Sequence, residues 1–522
     1  MPPDDHGLVA IRRALASVED KSGLVELARS LRSYRVELVA TGGSRRALEA
    51  AGIPAQAAED LTGIGSWFGG RIKTLHPGLL GGILAPRTDE GLRELGLRQI
   101  LPIDLVIVNF YPFARHEEEH PDPPDREEFI DIGGITLARA AAKNHAYVTV
   151  VSDPTDYPLL MRELADEKGS VRGSTRRALA RSAFDRSARY DRRISEALSG
   201  SVATSTDYPD ELRFRRDPIG LRYGENPHQP AAIYQLAGAP RGWWPAPDLA
   251  VLKGSGLSYT NLLDMEAATA LVHEFPTPTA AVVKHATPCG VGSGGTLSEA
   301  VTRAIETDRI ARYGCVVAVN RPMTRDVVSA LHGVFVDLLI APGVEPEALE
   351  LLRQRAKLKI VTAPIPPMDQ PRWEAHSALG RLLVEEADQR QMAPDEYKLV
   401  TSRSASPKEA CALDFAWRVV RHAKSNAVVL AQGSTTVGIG SGQTSRVKAV
   451  ELAVEVAGPR AKGAVLASDG FFPFADGVEA AGKAGISAIL QPGGSIRDPE
   501  VIAMAEQHHI AMYLSGWRVF RH

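Results

Sequence analysis

Short apolar runs alternate along this chain with stretches in which apolar residues recur every three or four positions. Residues 14–18 read as a buried strand, and residues 23–31 place Leu24, Leu27, Ala28 and Leu31 on one helical face. A second strand is predicted at 36–40, broken by Thr41-Gly42-Gly43, with a helix from Ser44 to a stop at Gly52. Two more strands are expected at 105–109 and 147–152. Strands alternating with helices imply a doubly wound parallel sheet, whose ligands sit beyond the carboxyl ends of its strands.

Residues 171–198 are arginine-rich and helical in pattern. Leu179, Phe184 and Tyr190 interleave there as a core stripe, which favours a solvated helix face over an RNA-binding arm. The acidic, proline-broken stretch 116–128 predicts a surface excursion, and the Pro/Ser/Thr/Asp segment 201–210 marks a boundary between domains 1–205 and 206–522. The second part repeats the same grammar. Strands are predicted at 281–283, 315–319 and 336–340, and Thr296 with Glu299 has the spacing of a capping box. After a proline-rich crossing at 364–371 come a helix at 408–422, strands at 427–430 and 464–467, and one ending at Gln491. Two α/β units, 206–365 and 366–522, are expected.

Composition narrows the function. The 522 residues are 44% hydrophobic and 24% charged, ordinary for a globular chain. With 60 basic and 63 acidic side chains, the net charge of -3 creates no field that would draw nucleic acid or an anionic membrane, so any anion site must be local. Cys289, Cys315 and Cys411 are too scattered for a disulfide framework, which points to a reducing, cytoplasmic setting. The first residues show no secretory pattern, and no apolar run approaches the roughly 18 residues of a membrane span.

Candidate chemistry falls at strand ends. Thr41-Gly42-Gly43-Ser44 follows a strand and opens a helix, where exposed N–H groups and hydroxyls can hold a phosphate. Arg71 and Lys73, in Gly69-Gly70-Arg71-Ile72-Lys73-Thr74-Leu75-His76-Pro77, suit an anion, although these residues alone favour a surface loop with solvated charges. Asn109-Phe110-Tyr111-Pro112-Phe113 ends a strand, and Asp131-Ile132-Gly133-Gly134 precedes a helix carrying Lys143-Asn144-His145. Spacing alone does not bring Asp131 and Lys143 together. In the second part, Lys284-His285 sets an ammonium beside an imidazole suited to acid–base work. Cys289 reads as a structural thiol. Pro288-Cys289 lacks the second cysteine and the H-x-E of zinc deaminases, so no metal is expected. Gly438-Ile439-Gly440-Ser441-Gly442-Gln443 misses the dinucleotide fingerprint, and Gly482-Lys483-Ala484 lacks a P-loop hydroxyl.

Ser17-Val18-Glu19-Asp20-Lys21, Thr41-Gly42-Gly43, Lys73-Thr74-Leu75-His76-Pro77, Tyr111-Pro112-Phe113, Asp131-Ile132-Gly133-Gly134 and Lys143-Asn144-His145 follow one another as in IMP cyclohydrolase domains, which the first part resembles. The resemblance implies a methylglyoxal-synthase-like fold and closure of formyl-AICAR to IMP with loss of water. It implies Lys73, Thr74, Tyr111, Asp131 and Lys143 as catalytic, with Lys73 and Lys143 stabilising charge and Asp131 and Tyr111 handling protons. Lys21, Thr41, Gly42, Gly43, Ser44 and Arg71 would hold the ribotide phosphate. Glu19 and Leu80 depart from the family pattern.

Arg222-Tyr223-Gly224-Glu225-Asn226-Pro227-His228-Gln229, the Lys284 segment, Lys424-Ser425-Asn426, 438–446, Ser468-Asp469-Gly470-Phe471, Gln491-Pro492-Gly493-Gly494-Ser495 and Phe520-Arg521-His522 resemble AICAR transformylase. That family has two cytidine-deaminase-like α/β units without zinc. The resemblance implies formyl transfer from 10-formyltetrahydrofolate, a folate co-substrate, to the 5-amino group of AICAR. His285 would be the base, Lys284 the cation and proton donor, and Asn426 a positioning or oxyanion donor. Arg222, with Tyr223 beside it, and Arg518 would hold the AICAR phosphate. Asp337 and Phe471 would touch folate, and Arg446 would line the cleft. The family is dimeric, with sites built across the subunit interface. Asp308-Arg309-Ile310-Ala311-Arg312-Tyr313-Gly314-Cys315 replaces the family's Asp-Pro-x-Ser-Ala-Phe-Gly-Gly. That change leaves open a cyclohydrolase with another formyl source, and the first domain's fold leaves open a nucleotide-sensing regulator.

Overall fold

The computed structural model describes residues 7–65, 67–68, 71–111, 113, 127–198, 211–236, 249–254, 256–364, 373–390 and 393–522. The chain divides into two compact units, Met1–Ser205 and Thr206–His522. The acidic stretch up to residue 126, the segment 201–210, and the crossing beyond Pro364 lie outside the described residues, as do Gly69, Gly70 and Pro112.

The first unit is built on β1 (Arg13–Ser17), β2 (Glu37–Ala40), β3 (Gln56–Ala57), β4 (Leu105–Val108) and β5 (Thr149–Val151). All are parallel, in the order β3-β2-β1-β4-β5. The chain winds outward from β1 to β3 and then returns to the other flank with β4, which places the topological switch between β1 and β4. β4 is Leu-Val-Ile-Val, buried at every position because helices cover both faces. Leu24, Leu27 and Leu31 pack on one face, and Leu137, Ala138 and Ala141 of the helix Gly133–Lys143 pack on the other. The arginine-rich helix Gly173–Leu198 lies against the latter core through Ala180 and Ala183. Phe184, expected in the core stripe, is partly exposed beneath the Arg139 guanidinium. A fully buried arginine, Arg176, completes the inner side by donating to the carbonyls of His145, Ala146, Val171 and Gly7.

The second unit contains one twelve-stranded sheet. Its strands are β6 (Ala250–Lys253), β7 (Thr279–Lys284), β8 (Thr287–Ser293), β9 (Cys315–Val319), β10 (Val336–Ala341), β11 (Lys359–Thr362), β12 (Lys398–Leu399), β13 (Val428–Gln432), β14 (Thr435–Gly440), β15 (Val465–Ser468), β16 (Ala488–Gln491) and β17 (Ala511–Leu514). They lie in the order β6-β11-β10-β9-β7-β8-β14-β13-β15-β16-β17-β12. The order is a duplication. Each half runs inward from an antiparallel edge strand through three parallel strands to an antiparallel hairpin, and the halves meet where Gly292 pairs with Thr435.

β8 and β14 escape the apolar pattern because glycines interrupt it. A Cβ at Gly290 would meet Ala304 O at 2.1 Å, and one at Gly292 would meet Ala300 O at 2.6 Å. In the other half, a Cβ at Gly438 would meet Ala453 O at 2.0 Å, and one at Gly440 would meet Ala449 O at 2.0 Å. The helices Leu297–Thr307 and Arg446–Ala457 rest directly on those backbones. The expected capping box at Thr296 is half formed. Thr296 accepts from Glu299 N at 3.2 Å, whereas the Glu299 carboxylate receives Gly295 N at 2.9 Å.

Candidate active sites

Loops leaving the carboxyl edge of the parallel sheet gather most of the first set of residues. Helix Gly42–Ala50 starts two residues earlier than the pattern predicts, so Gly42 and Gly43 form its first turn behind Thr41. Ser44 is buried and locks this turn to the end of β1, accepting from Val18 N at 3.0 Å and donating to Val18 O at 3.3 Å. The glycines matter for space. A Cβ on Gly42 would sit 3.3 Å from Lys73 Nζ, and one on Gly43 would sit 3.8 Å from Lys21 Cε. Two ammonium groups therefore border a helix N-terminus whose N–H groups are open to an anion.

The next residue reaches a second helix start. Buried Thr74 places Oγ1 2.6 Å from the position of a Cβ on Gly133, at the opening of helix Gly133–Lys143. Asp131 stands there too, its Oδ1 accepting Gly134 N at 2.6 Å and its own N–H donating to Tyr190 Oη at 2.9 Å. Burial pushes the Asp131 carboxyl up, against hydrogen bonds from the Gly134 and Tyr111 backbone, and Glu19 adds repulsion. Burial also raises the Tyr111 phenol, reinforced by the charges of Glu19 and Asp131. Glu19, the departure noted in sequence, thus faces the proton-handling pair, while Leu80 packs into the core.

Two members of this set are placed otherwise. Arg71 is exposed and ion-paired with Glu128, so an anion must displace that carboxylate to engage it. Lys143 is a correction. It closes the 11-residue helix that Asp131 precedes, and at about 1.5 Å per residue the two stand roughly 15 Å apart along the axis. Its neighbour Asn144 donates to Ile83 O and Ala85 O, beyond the far end of helix Pro77–Leu84, so Lys143 belongs to the opposite end of the layer.

In the second unit the expected residues line one edge of the long sheet. Lys284 ends β7, and its Nζ donates to Tyr313 O at 3.0 Å. His285 and Ala286 form the two-residue hairpin turn with φ of 53° and 55°. Non-glycine residues at such angles each cost on the order of 1–2 kcal/mol, and Asn-Gly is the usual choice. The turn is held from below, where Ala286 N donates to Asp264 Oδ1 at 2.6 Å. Burial raises the Asp264 carboxyl, opposed by that bond and by His285. Asp337, at the same edge, accepts from Lys359 Nζ at 2.8 Å and from Asn261 Nδ2 at 3.1 Å. Burial pushes the Cys289 thiol up to about 12, which keeps it protonated and unsuited to attack. The altered loop carries Tyr313, and its two arginines both bind Glu306, with Arg309 Nε at 2.6 Å and Arg312 Nη1 at 2.8 Å.

The other half completes the edge. Asn426 Nδ2 donates to Gln443 O at 2.8 Å, and its Oδ1 accepts Arg446 Nη2 at 2.7 Å. Arg446 corrects an expectation. It is buried, with its guanidinium bound to Asp469, Ser468 and Asn426, so it orients Asn426 from behind instead of lining the cleft. Phe471 is partly exposed just past this cluster, and Arg518 stacks on Phe520, beside the Val519 N–H that donates to Asp469 O at 2.9 Å. Arg222 lies over the Tyr223 ring and donates to its hydroxyl at 2.8 Å. The Tyr223 carbonyl receives Tyr259 N, at the start of the helix that carries Asp264. Sequence reasoning did not single out Asp264 as a site residue. Among the described residues no group of His, Cys, Asp or Glu is arranged to hold a metal ion.

Each of the two compact units thus brings a lysine to a sheet edge among other polar groups, Lys73 in the first and Lys284 in the second. The AICARFT/IMPCHase bienzyme profile matches residues 141–456, and the MGS-like domain profile matches residues 23–136. The chain is 45% identical over 514 residues to the bifunctional purine biosynthesis protein PurH of Halalkalibacterium halodurans, covering 98% of this chain and 100% of that one. It is 40% identical over 516 residues to the Bacillus subtilis protein of that name and 45% identical over 526 residues to that of Thermosynechococcus vestitus, with 98% of this chain and 100% of each relative covered. The chain belongs to the AICARFT/IMPCHase bienzyme family. Its activities are AICAR formyl transfer from 10-formyltetrahydrofolate and IMP cyclohydrolysis, in purine biosynthesis.

Proposed function

We propose that the two activities divide between the two sheet edges, with formyl transfer at Lys284, His285 and Asn426, and ring closure at Lys73, Thr74, Tyr111 and Asp131. For formyl transfer, the weakly nucleophilic AICAR amine must lose a proton as the formyl carbon becomes tetrahedral. His285, exposed at the tip of its turn, takes that proton. The Lys284 ammonium, steered by Tyr313 O, stabilises the oxyanion and then supplies a proton as tetrahydrofolate departs. Asn426, fixed on both sides of its amide, orients the reacting groups. Arg222, Tyr223 and Arg518 bind the ribotide, while Asp337 and Phe471 contact folate.

For ring closure, the ribotide phosphate occupies the helix start between Lys21 and Lys73, with Thr41 to Ser44 below and Arg71 joining after release from Glu128. Asp131, which keeps its proton to higher pH than an ordinary carboxyl, assists departure of the hydroxyl, and Tyr111 relays the proton. The enzyme works as a homodimer in the cytoplasm. Sedimentation of the purified chain at the monomer mass would refute the dimer.

The observation that carries the division is the His285-Ala286 turn, held against its backbone preference beside a tethered ammonium. A steady-state assay with AICAR and 10-formyltetrahydrofolate tests it, following both tetrahydrofolate release and IMP. His285→Ala should slow formyl transfer about 100- to 10,000-fold, leaving a measurable residue, and leave closure of supplied formyl-AICAR intact. Lys73→Ala should let formyl-AICAR accumulate. Equal loss of both activities in either folded variant would sink the two-site reading.

A further inference from the structure

The halves of the second unit align without a gap around their hairpins. Ser258 and Ser406 cap equivalent helices, Gly290 and Gly292 correspond to Gly438 and Gly440, and Thr287 corresponds to Thr435. At the same spacing His285 corresponds to Gly433, Ala286 to Ser434, and Asp264 to Ala412. The counterpart turn needs a positive φ only at its first residue and has glycine there. At the position equivalent to Asp264 the helix carries a buried alanine, Ala412. The strained turn and the carboxylate at this helix position therefore occur together in one half and are absent together from the other.

A two-residue hairpin leaves the N–H groups of its central residues outside the ladder. In the His285 turn the second of these, Ala286 N–H, is taken by Asp264 Oδ1 at 2.6 Å. The helix bearing Asp264 is fixed at its start by a reciprocal cap between Ser258 and Asn261, and Asn261 also binds Asp337. Resting on the proposed role of His285, we propose that Asp264 is a positioning residue for formyl transfer, holding the turn so that the imidazole projects at the reacting amine. It acts through the Ala286 backbone and needs no contact with substrate.

The test uses the full-length enzyme. Asp264→Ala should lower kcat for formyl transfer at least tenfold, with KM for AICAR within about threefold and ring closure of supplied formyl-AICAR unchanged. Asp264→Asn keeps an acceptor oxygen for Ala286 N–H and should recover most of that loss. In the His285→Ala background, Asp264→Ala should cost little more, because the residue it positions is gone. A kcat for Asp264→Ala within twofold of the parent overturns the proposal. So does an Asn variant that folds yet is as impaired as the alanine variant, or a double variant whose losses multiply. If His285→Ala itself retains parental formyl transfer, the assignment of His285 fails first, and that result is distinct from failure at Asp264.

Discussion

The two hairpin turns of the second unit occupy equivalent places in a duplicated sheet, yet one carries His285-Ala286 and the other Gly433-Ser434. The glycine turn is the relaxed solution for a tight hairpin. The histidine turn is held in a left-handed conformation, with a carboxylate below and a tethered lysine beside it. Because the halves enter the sheet in opposite senses, one edge combines the first half's hairpin turn with the second half's strand ends. The opposite edge has a cavity of about 610 Å³ with Gly433 and Ser434 in its wall, but Gln432 stands where the first half has Lys284. Duplication supplied the scaffold twice, and the proposed chemistry belongs to one edge. The backbone strain at His285 and Ala286 supports that assignment.

The sharpest way to break this comparison is to change equivalent residues in both halves. Lys284→Ala should slow formyl transfer on the order of 1000-fold, the upper end for losing one preorganised donor to a developing oxyanion. Gln432→Ala, its counterpart, should leave formyl transfer within about twofold, since Gln432 only ties β13 to the Arg460 and Lys462 carbonyls. Single-turnover rates on both variants check this. Comparable losses would mean that the two edges are not functionally distinct.

A second contrast sets the units against each other. In the first, the proposed acid is Asp131, whose carboxyl burial pushes up. Asp131→Asn should cut ring closure about 100-fold, within the usual range for a lost general acid. Its effect on stability should have the opposite sign. A carboxyl whose folded pKa is raised destabilises the fold once pH rises above its unfolded value, so the asparagine variant should melt no lower than the parent at pH 7 and match it near pH 3. Thermal melts at both pH values, read beside the closure assay, test the pair of effects. A lower Tm at pH 7 would contradict burial as the dominant cause.

The helix-backed glycines should respond alike in both halves, because packing rather than chemistry selects them. Gly292→Ala and Gly440→Ala each drive a methyl into a helix carbonyl, and each should cost about 1–3 kcal/mol in denaturant unfolding. A large cost in one half alone would show that the duplicated packing is not equivalent.

These contacts also explain what could be read beforehand. Cys315–Val319 was legible to the residue, and β4 nearly so, because continuous apolar runs between helices need no further information. β8 and β14 were invisible, since their glycines answer to helices that only the fold places on them. Motifs singled out Lys73, Asp131, Lys284 and His285 as candidates. They could not distinguish Arg446, which acts behind Asn426, from a residue in the cleft, because a guanidinium looks the same in sequence whether water or Asp469 surrounds it.

Lys143 is where motif and geometry disagree most, and its variant has the smallest expected effect. The motif puts it beside Asp131, yet a straight helix separates the two by its whole length, roughly 15 Å at about 1.5 Å per residue. An ammonium that far from a developing charge, with one end of the path in solvent, contributes little beyond the roughly 8–10 Å over which salt screens it. Its remaining role is to offer a cation to the last carbonyls of its helix, worth typically 0.3–1 kcal/mol. Lys143→Ala should therefore close formyl-AICAR at a rate within about twofold of the parent and melt slightly lower, while Lys143→Arg should restore the Tm. A hundredfold loss of ring closure with the fold intact would bring Lys143 back into the site and require the helix start to move toward it during turnover.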